Sequence, residues 1–113
     1  MDRRVEFLKN HMNRDRCTRL SAESMAKMVN LSTSRLAHLF RRETKVSPQR
    51  FAKLERMQHA KFLLKSSFLS VKQVMANCGF NDASHFVRDF KRLYGKSPSQ
   101  YRNDLMERVS ANK

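Results

Sequence analysis

Ser-Pro-x-x-aromatic occurs twice in this chain, at Ser47-Pro48-Gln49-Arg50-Phe51 and, 50 residues on, at Ser97-Pro98-Ser99-Gln100-Tyr101. The same offset relates Leu36 to Phe86, Phe40 to Phe90 and Arg42 to Arg92. Further upstream the offset is 49, relating Ser21 to Ser70 and Met25 to Val74. One extra residue therefore enters the second copy between Phe80 and Phe86. Any one pair is open to coincidence, but six pairs at a single offset indicate an internal repeat. At 113 residues the chain is one domain, or two very small units sharing a core.

The repeat has to be built of helices. Only two glycines and two prolines occur, β-branched residues are sparse, and apolar residues recur at intervals of three and four. Asp2 precedes a segment with Val5, Leu8 and Met12 on one face. Ser21 precedes a second, with Met25 and Met28, and Ser32 a third, with Leu36, Leu39 and Phe40. Ser47-Pro48 places serine at the N-cap and proline at the first helical position, where its missing N–H costs nothing. That helix runs to about Lys65. Ser70 caps a fifth helix, with Gln73 in the capping-box position. A sixth starts near Asp82. A seventh starts at Ser97-Pro98, with Gln100 in the box position. The expected fold is all-α with seven helices: an N-terminal unit over residues 1–46, a linker helix over 47–66 and a C-terminal unit over 67–113.

Each copy holds a short helix, a tight turn and a longer helix. The turns are Val29-Asn30-Leu31 and Cys78-Gly79-Phe80. Such a turn needs one residue with positive φ, which Asn and Gly supply, followed by an apolar plug, here Leu31 or Phe80. This is the helix-turn-helix pattern, whose second helix enters the DNA major groove. At about 100° per residue, Leu36, Leu39 and Phe40 face inward in the first copy, while Ser34, His38, Arg41 and Arg42 face outward. In the second copy Phe86, Phe90 and Leu93 face inward; Ser84, Arg88, Lys91 and Arg92 face outward. Ala37 and Val87 lie at the margins, and Glu43 and Asp89 toward the core side. A charged helix face is commonly just solvated; two basic copies nearly free of acid favour a polyanionic partner.

The overall charge agrees. Lys plus Arg number 24 against 10 Asp plus Glu, a formal net charge of +14. Self-repulsion at that charge costs stability, and an acidic partner offsets it. Nucleic acid, an anionic membrane face and an acidic protein are the candidates. Exposed aromatics for stacking single strands are lacking on the outward faces, and no apolar run approaches the ~18 residues of a membrane span. Leu63, Leu64 and Phe68 form too short a cluster for anything but core. Cys17 and Cys78 have no CxxC partner, so neither a zinc site nor any other metal or cofactor is expected. Cys78 reads as a small buried apolar residue. Two isolated thiols fit a reducing cytoplasm.

The stretches GFNDASHFVRDFKR (79–92) and GKSPSQYR (95–102) resemble the signature of the AraC/XylS family of bacterial transcription regulators. Ser47-Pro48, Phe51, Arg56, Ala60, Leu63 and Leu64 resemble its linker helix, and the likeness runs from about Arg4 to Arg102. The resemblance implies two helix-turn-helix subdomains joined by one long helix, with recognition helices in two successive major-groove segments. Those segments lie about 34 Å apart, and a helix of some 18 residues spans roughly 27 Å. The implied base-reading residues are Thr33, Ser34, Ala37 and His38 in the first half, and Ala83, Ser84, Val87 and Arg88 in the second. Implied phosphate contacts are Arg41, Lys91, Arg92 and Lys96, with backbone N–H groups at the helix starts of Ser21, Ser70 and Ser97. His38 reads equally as a phosphate contact or a solvated imidazole.

The implied function is a sequence-specific, double-stranded-DNA-binding transcription regulator, an activator that also touches RNA polymerase in the cytoplasm. The alternative is a non-specific basic nucleic-acid binder. Some DNA-repair methyltransferases carry such a domain beside a cysteine-rich zinc module; that module is absent and Cys17 lacks an activating neighbourhood, so no catalytic residue is expected. The chain reads either as a small stand-alone regulator or as a fragment with a sensing or dimerising domain outside it; so basic a chain offers no effector pocket, which tips the reading slightly toward the fragment. Two departures from the family pattern matter. Met75 stands where a small alanine is usual, which implies a repacked turn. Thr44-Lys45 stands where glycine commonly ends the recognition helix. Lysine tolerates positive φ poorly, so the Thr44-Lys45-Val46 exit is expected to differ in backbone from Tyr94-Gly95-Lys96.

Overall fold

The structure, a computed structural model, describes residues 1–15 and 19–111, with side chains as far as Arg108. Cys17 lies outside the described residues. Among the described residues there are seven helices and no strand: α1 (Arg3–Arg14), α2 (Ala22–Met28), α3 (Thr33–Thr44), α4 (Pro48–Ser66), α5 (Val71–Asn77), α6 (Ala83–Tyr94) and α7 (Pro98–Ala111). The chain divides into two compact units, Met1–Arg56 and Met57–Lys113. Helix α4 contributes residues to both.

The helix starts follow the small polar residues. Asp2, Ser21, Ser32, Ser70 and Asp82 are N-caps whose side chains accept a backbone N–H of the first turn. Ser70 and Gln73 form the reciprocal capping box. At Ser97 only the serine half of the expected box is seen. The Gln100 N–H donates to Ser97 Oγ (3.2 Å), but the Gln100 side-chain amide donates to Asp104 Oδ1 (2.8 Å). Asp104, one turn further on, competes for the glutamine.

Both helix-turn-helix corners are Schellman turns. Leu31 N–H donates to Ala26 O (3.0 Å) and Asn30 N–H to Lys27 O (3.3 Å). In the second unit Phe80 N–H donates to Met75 O (2.9 Å) and Gly79 N–H to Ala76 O (3.2 Å). Asn30 (φ 58°) and Gly79 (φ 77°) supply the left-handed residue. Met75 leaves these bonds intact and packs, half-buried, on the core. Ser32 caps α3 directly after the plug Leu31, whereas Asp82 caps α6 two residues after Phe80. The extra residue of the second copy is therefore Asn81.

Each unit closes over its own core. In the first, Val5, Leu8 and Met12 of α1 meet Met25 and Ala26 of α2, Leu36 and Phe40 of α3 and Ala52 of α4. In the second, Met57, Ala60 and Leu64 of α4 meet Val74, Cys78, Phe86 and Phe90. Burying each large side chain contributes about 1.5–3 kcal/mol. The repeated Ser-Pro-x-x-aromatic motif has one job in both. Serine caps the helix, and the aromatic folds back edge-on against a phenylalanine of α3 or α6: Phe51 on Phe40 (5.5 Å) and Tyr101 on Phe90 (5.8 Å).

Three further expectations are corrected. The exits of α3 and α6 share one backbone: Lys45 (φ 71°, ψ 0°) matches Gly95 (φ 80°, ψ −8°) in the left-handed region. Each donates its N–H four residues back, to Arg41 O (2.9 Å) and Lys91 O (2.7 Å). The left-handed state costs lysine about 1–2 kcal/mol. The Thr44 hydroxyl supports it, lying 2.8 Å from Phe40 O and 3.0 Å from Val46 O. The same exit delivers buried Pro48 and the Phe51 ring to the core. Leu93 is 37% exposed rather than inward, because Tyr94 takes the inward place, 4.7 Å from Phe90. Phe68 is fully exposed rather than core. It lies in the α4–α5 link, whose backbone carbonyls are held by Arg102. That guanidinium donates to Leu64 O (3.2 Å), Ser67 O (3.4 Å) and Leu69 O.

Candidate nucleic-acid interface

Helix α3 is fixed by Leu36 and Phe40 below and by its two left-handed flanking residues, Asn30 and Lys45. Its opposite face is thereby committed to solvent. Thr33, Ser34, His38 and Arg41 are exposed, and Ala37 is half-buried at the margin. Arg35 and Arg42 are also exposed, on one flank of that face. In the second unit Ala83, Ser84, Arg88, Lys91 and Arg92 are exposed on α6, and Val87 is 39% exposed. Each helix thus presents short side chains at its start and cations further along. Such a surface lets a helix approach base edges closely while Arg or Lys reaches guanine or phosphate.

The surroundings of the two faces differ. Asp82 caps α6 by accepting the His85 N–H at 3.0 Å, and His85 Nδ1 lies 3.5 Å from its other oxygen. That backbone hydrogen bond holds the Asp82 carboxyl below the ordinary carboxylate range. A carboxylate therefore sits at the start of α6 where α3 has the neutral Ser32. Arg88 Nε lies 3.9 Å from Asp89 Oδ1, a loose pairing that leaves the guanidinium largely in solvent.

The caps restrict what the helix starts can offer. The Ser21, Ser70 and Ser97 hydroxyls are engaged by the N–H groups of Ser24, Gln73 and Gln100. Only the N–H groups of the positions between remain for an anion, and after Ser97 one of those positions is a proline. Lys96 is ion-paired with Asp104, whose carboxyl it holds below its usual range. Solvent and salt screen an exposed pair of this kind, so a phosphate can compete for the lysine.

Arg4 was not expected at this surface. Helix α1 packs on α3 and brings Asp2 and Arg4 beside Ser34, Arg35, His38 and Arg42. A helical projection of α3 shows Arg35 and Arg42; nothing in the local sequence of α1 announces its docking site. Among the described residues no helix is long and apolar enough to cross a membrane.

Comparison with known proteins agrees with the all-helical fold. The helix-turn-helix domain family matches residues 25–104. The arabinose operon regulatory protein of Escherichia coli (strain K12) is 34% identical over 114 residues, covering 97% of this chain and 38% of that protein. This chain thus spans about two-fifths of that relative's length. The DNA-binding domain of AdpA, solved in complex with a target DNA, superposes with a TM-score of 0.86 at 25% identity, over 92% of this chain and 94% of that one. A probable AraC family transcriptional regulator from Rhodopseudomonas palustris CGA009 superposes with a TM-score of 0.85 at 25% identity, over 92% and 98%.

Proposed function

Because the chain belongs to the AraC/XylS family of helix-turn-helix DNA-binding transcriptional regulators, we propose that α3 and α6 read two successive major-groove segments of one duplex. The observation that carries this reading is the pair of exposed faces, each small at its start and basic beyond, on helices locked by equivalent turns. Thr33, Ser34, Ala37 and His38 on α3, and Ala83, Ser84, Val87 and Arg88 on α6, face the bases. Arg41, Lys91, Arg92 and Lys96 meet phosphates. The family is one of regulators rather than enzymes. Activation through RNA polymerase in the cytoplasm, with a sensing or dimerising domain beyond these residues, completes the proposal on the strength of the resemblance.

Selection of binding sites from random duplexes tests the two-helix reading. The expected product is a bipartite motif with centres one helical turn apart; a single short motif overturns engagement by both helices. Arg88→Ala is expected to weaken specific binding by about 1–3 kcal/mol and to relax discrimination at one base. Equal loss on specific and random DNA would reassign Arg88 to a phosphate.

A further inference from the structure

Beside α3 lies an open basic pocket of about 400 Å³ whose arginines the base-reading assignment leaves unused. Its walls are Asp2 and Arg4 from the start of α1, and Arg35, His38, Leu39 and Arg42 from one flank of α3. Three guanidiniums face one carboxylate, and that carboxylate is already engaged. Asp2 Oδ1 accepts the Arg4 N–H (2.8 Å) and Arg4 Nε (3.1 Å), and Oδ2 accepts Arg4 Nη2 (3.0 Å). The nearby Glu43 carboxylate accepts the Asp2 N–H at 2.8 and 3.1 Å. Among the described residues no carboxylate pairs with Arg35 or Arg42, and both are exposed.

We propose that this pocket is a phosphodiester-binding site, in which Arg35 and Arg42, assisted by Arg4, hold the DNA strand running along the α1 flank of α3. The inference rests on the reading that α3 lies in a major groove. A helix in that groove has a sugar-phosphate strand on each side. At about 100° per residue, Arg35 and Arg42 lie roughly 80–100° round α3 from Ser34, on the flank away from Ala37. His38 and Ser34 line both the pocket and the outward face, so the pocket opens onto whatever the helix reads. That continuity favours a duplex backbone over a free small phosphate. It also gives the N-terminal helix, outside the helix-turn-helix itself, a part in holding DNA.

The test compares the wild-type chain, Arg35→Gln/Arg42→Gln and Arg35→Lys/Arg42→Lys on specific and random duplexes across a salt series. Removing one phosphate interaction is expected to reduce the slope of log affinity against log salt by about 1. Between 50 and 200 mM salt that is roughly a 3.5-fold smaller fall in affinity for each phosphate released. The glutamine pair should show this reduction equally on both duplexes, and the lysine pair should keep the wild-type slope. Asp2→Asn, which keeps a competent cap and frees Arg4, is expected to steepen the slope. Single methylphosphonate substitutions on the flanking strand should weaken the wild type and leave the glutamine pair unaffected. An unchanged slope in the glutamine pair, or a change of base preference, overturns the proposal while leaving the groove reading intact. Competition by millimolar inorganic phosphate without any methylphosphonate effect assigns the pocket to a free anion and also overturns it. A wild type with flat salt dependence removes both the inference and the reading beneath it.

Discussion

The two helix-turn-helix units meet the same structural demands with different residues. Both use a Schellman turn with a positive-φ residue, both end their longer second helix (α3 or α6) in a left-handed residue, and both fold an aromatic back onto that helix. Their interiors are unlike. Phe40 meets one ring, Phe51, whereas Phe90 meets Phe86, Tyr94 and Tyr101. Their outer edges are unlike too, with neutral Ser32 and cationic Arg35 against Asp82 and His85. The difference teaches which features the architecture requires. Caps, turns and the packed phenylalanine recur because the backbone cannot close without them. The charge at the helix start varies because solvent tolerates either sign, which leaves it free to differ between the two exposed faces.

The comparison can be broken most directly at the two phenylalanines. Phe90→Ala and Phe40→Ala are each expected to cost about 3–5 kcal/mol. Phe90 should cost more, because of the rings it alone touches, at about 0.5–1.5 kcal/mol for each ring pair. Urea unfolding of both variants measures this; a larger loss at Phe40 would contradict the aromatic account. The helix exits come next. Lys45→Gly is expected to stabilise by about 1 kcal/mol and Gly95→Ala to destabilise by about as much. No atom lies within 4 Å of a Cβ placed on Gly95, so its cost is backbone strain alone. Null effects of both substitutions in thermal melts would show that the left-handed exits carry no such strain.

Capping is a smaller lever. Ser70→Ala should lose about 1 kcal/mol or somewhat more, because the box also frees Gln73, and Ser21→Ala slightly less. Circular dichroism melts that reverse the order would deny the second bond its role. The acid limb is expected to show the smallest effect. Arg4, through its side chain and its backbone N–H, holds the Asp2 carboxyl down at about 2 against an ordinary 3.8. A depressed carboxyl contributes stability that is complete above its unfolded value and is lost as pH falls through the folded one. The Asp2 contribution therefore disappears between about pH 4 and 2, and Asp2→Asn should remove that part of the titration. Asp82 and Asp104 of the second unit are also depressed, by the His85 backbone N–H and by Lys96. Acid unfolding followed with one probe in each unit separates these contributions.

Much of this molecule is local physics, and local physics is readable in the residues. Caps, the two positive-φ turn residues and the helix phase depend on neighbours within about four positions. Asp2, Ser21, Ser32, Ser70 and Asp82 therefore announce their helices, and Leu36, Phe40, Phe86 and Phe90 their inward faces. The outward residues follow from the same phase, which is why the candidate reading face was legible.

What the local pattern could not settle was decided by packing. Lys45 adopts the glycine conformation because Pro48 and Phe51 must reach the core, and that requirement outweighs about 1–2 kcal/mol of intrinsic preference. Leu93 yields its inward place to Tyr94 because the ring finds Phe90 there, and Phe68 is turned out because Arg102 holds the link on either side of it. Gln100 turns to Asp104 instead of its own N-cap. Arg4 stands beside Arg35 and Arg42 only because α1 docks on α3. The sequence by itself determined the helices, their caps and their apolar stripes. The tertiary structure decided which exposed cations share a surface, because contacts between distant segments depend on the packed core and not on any local spacing.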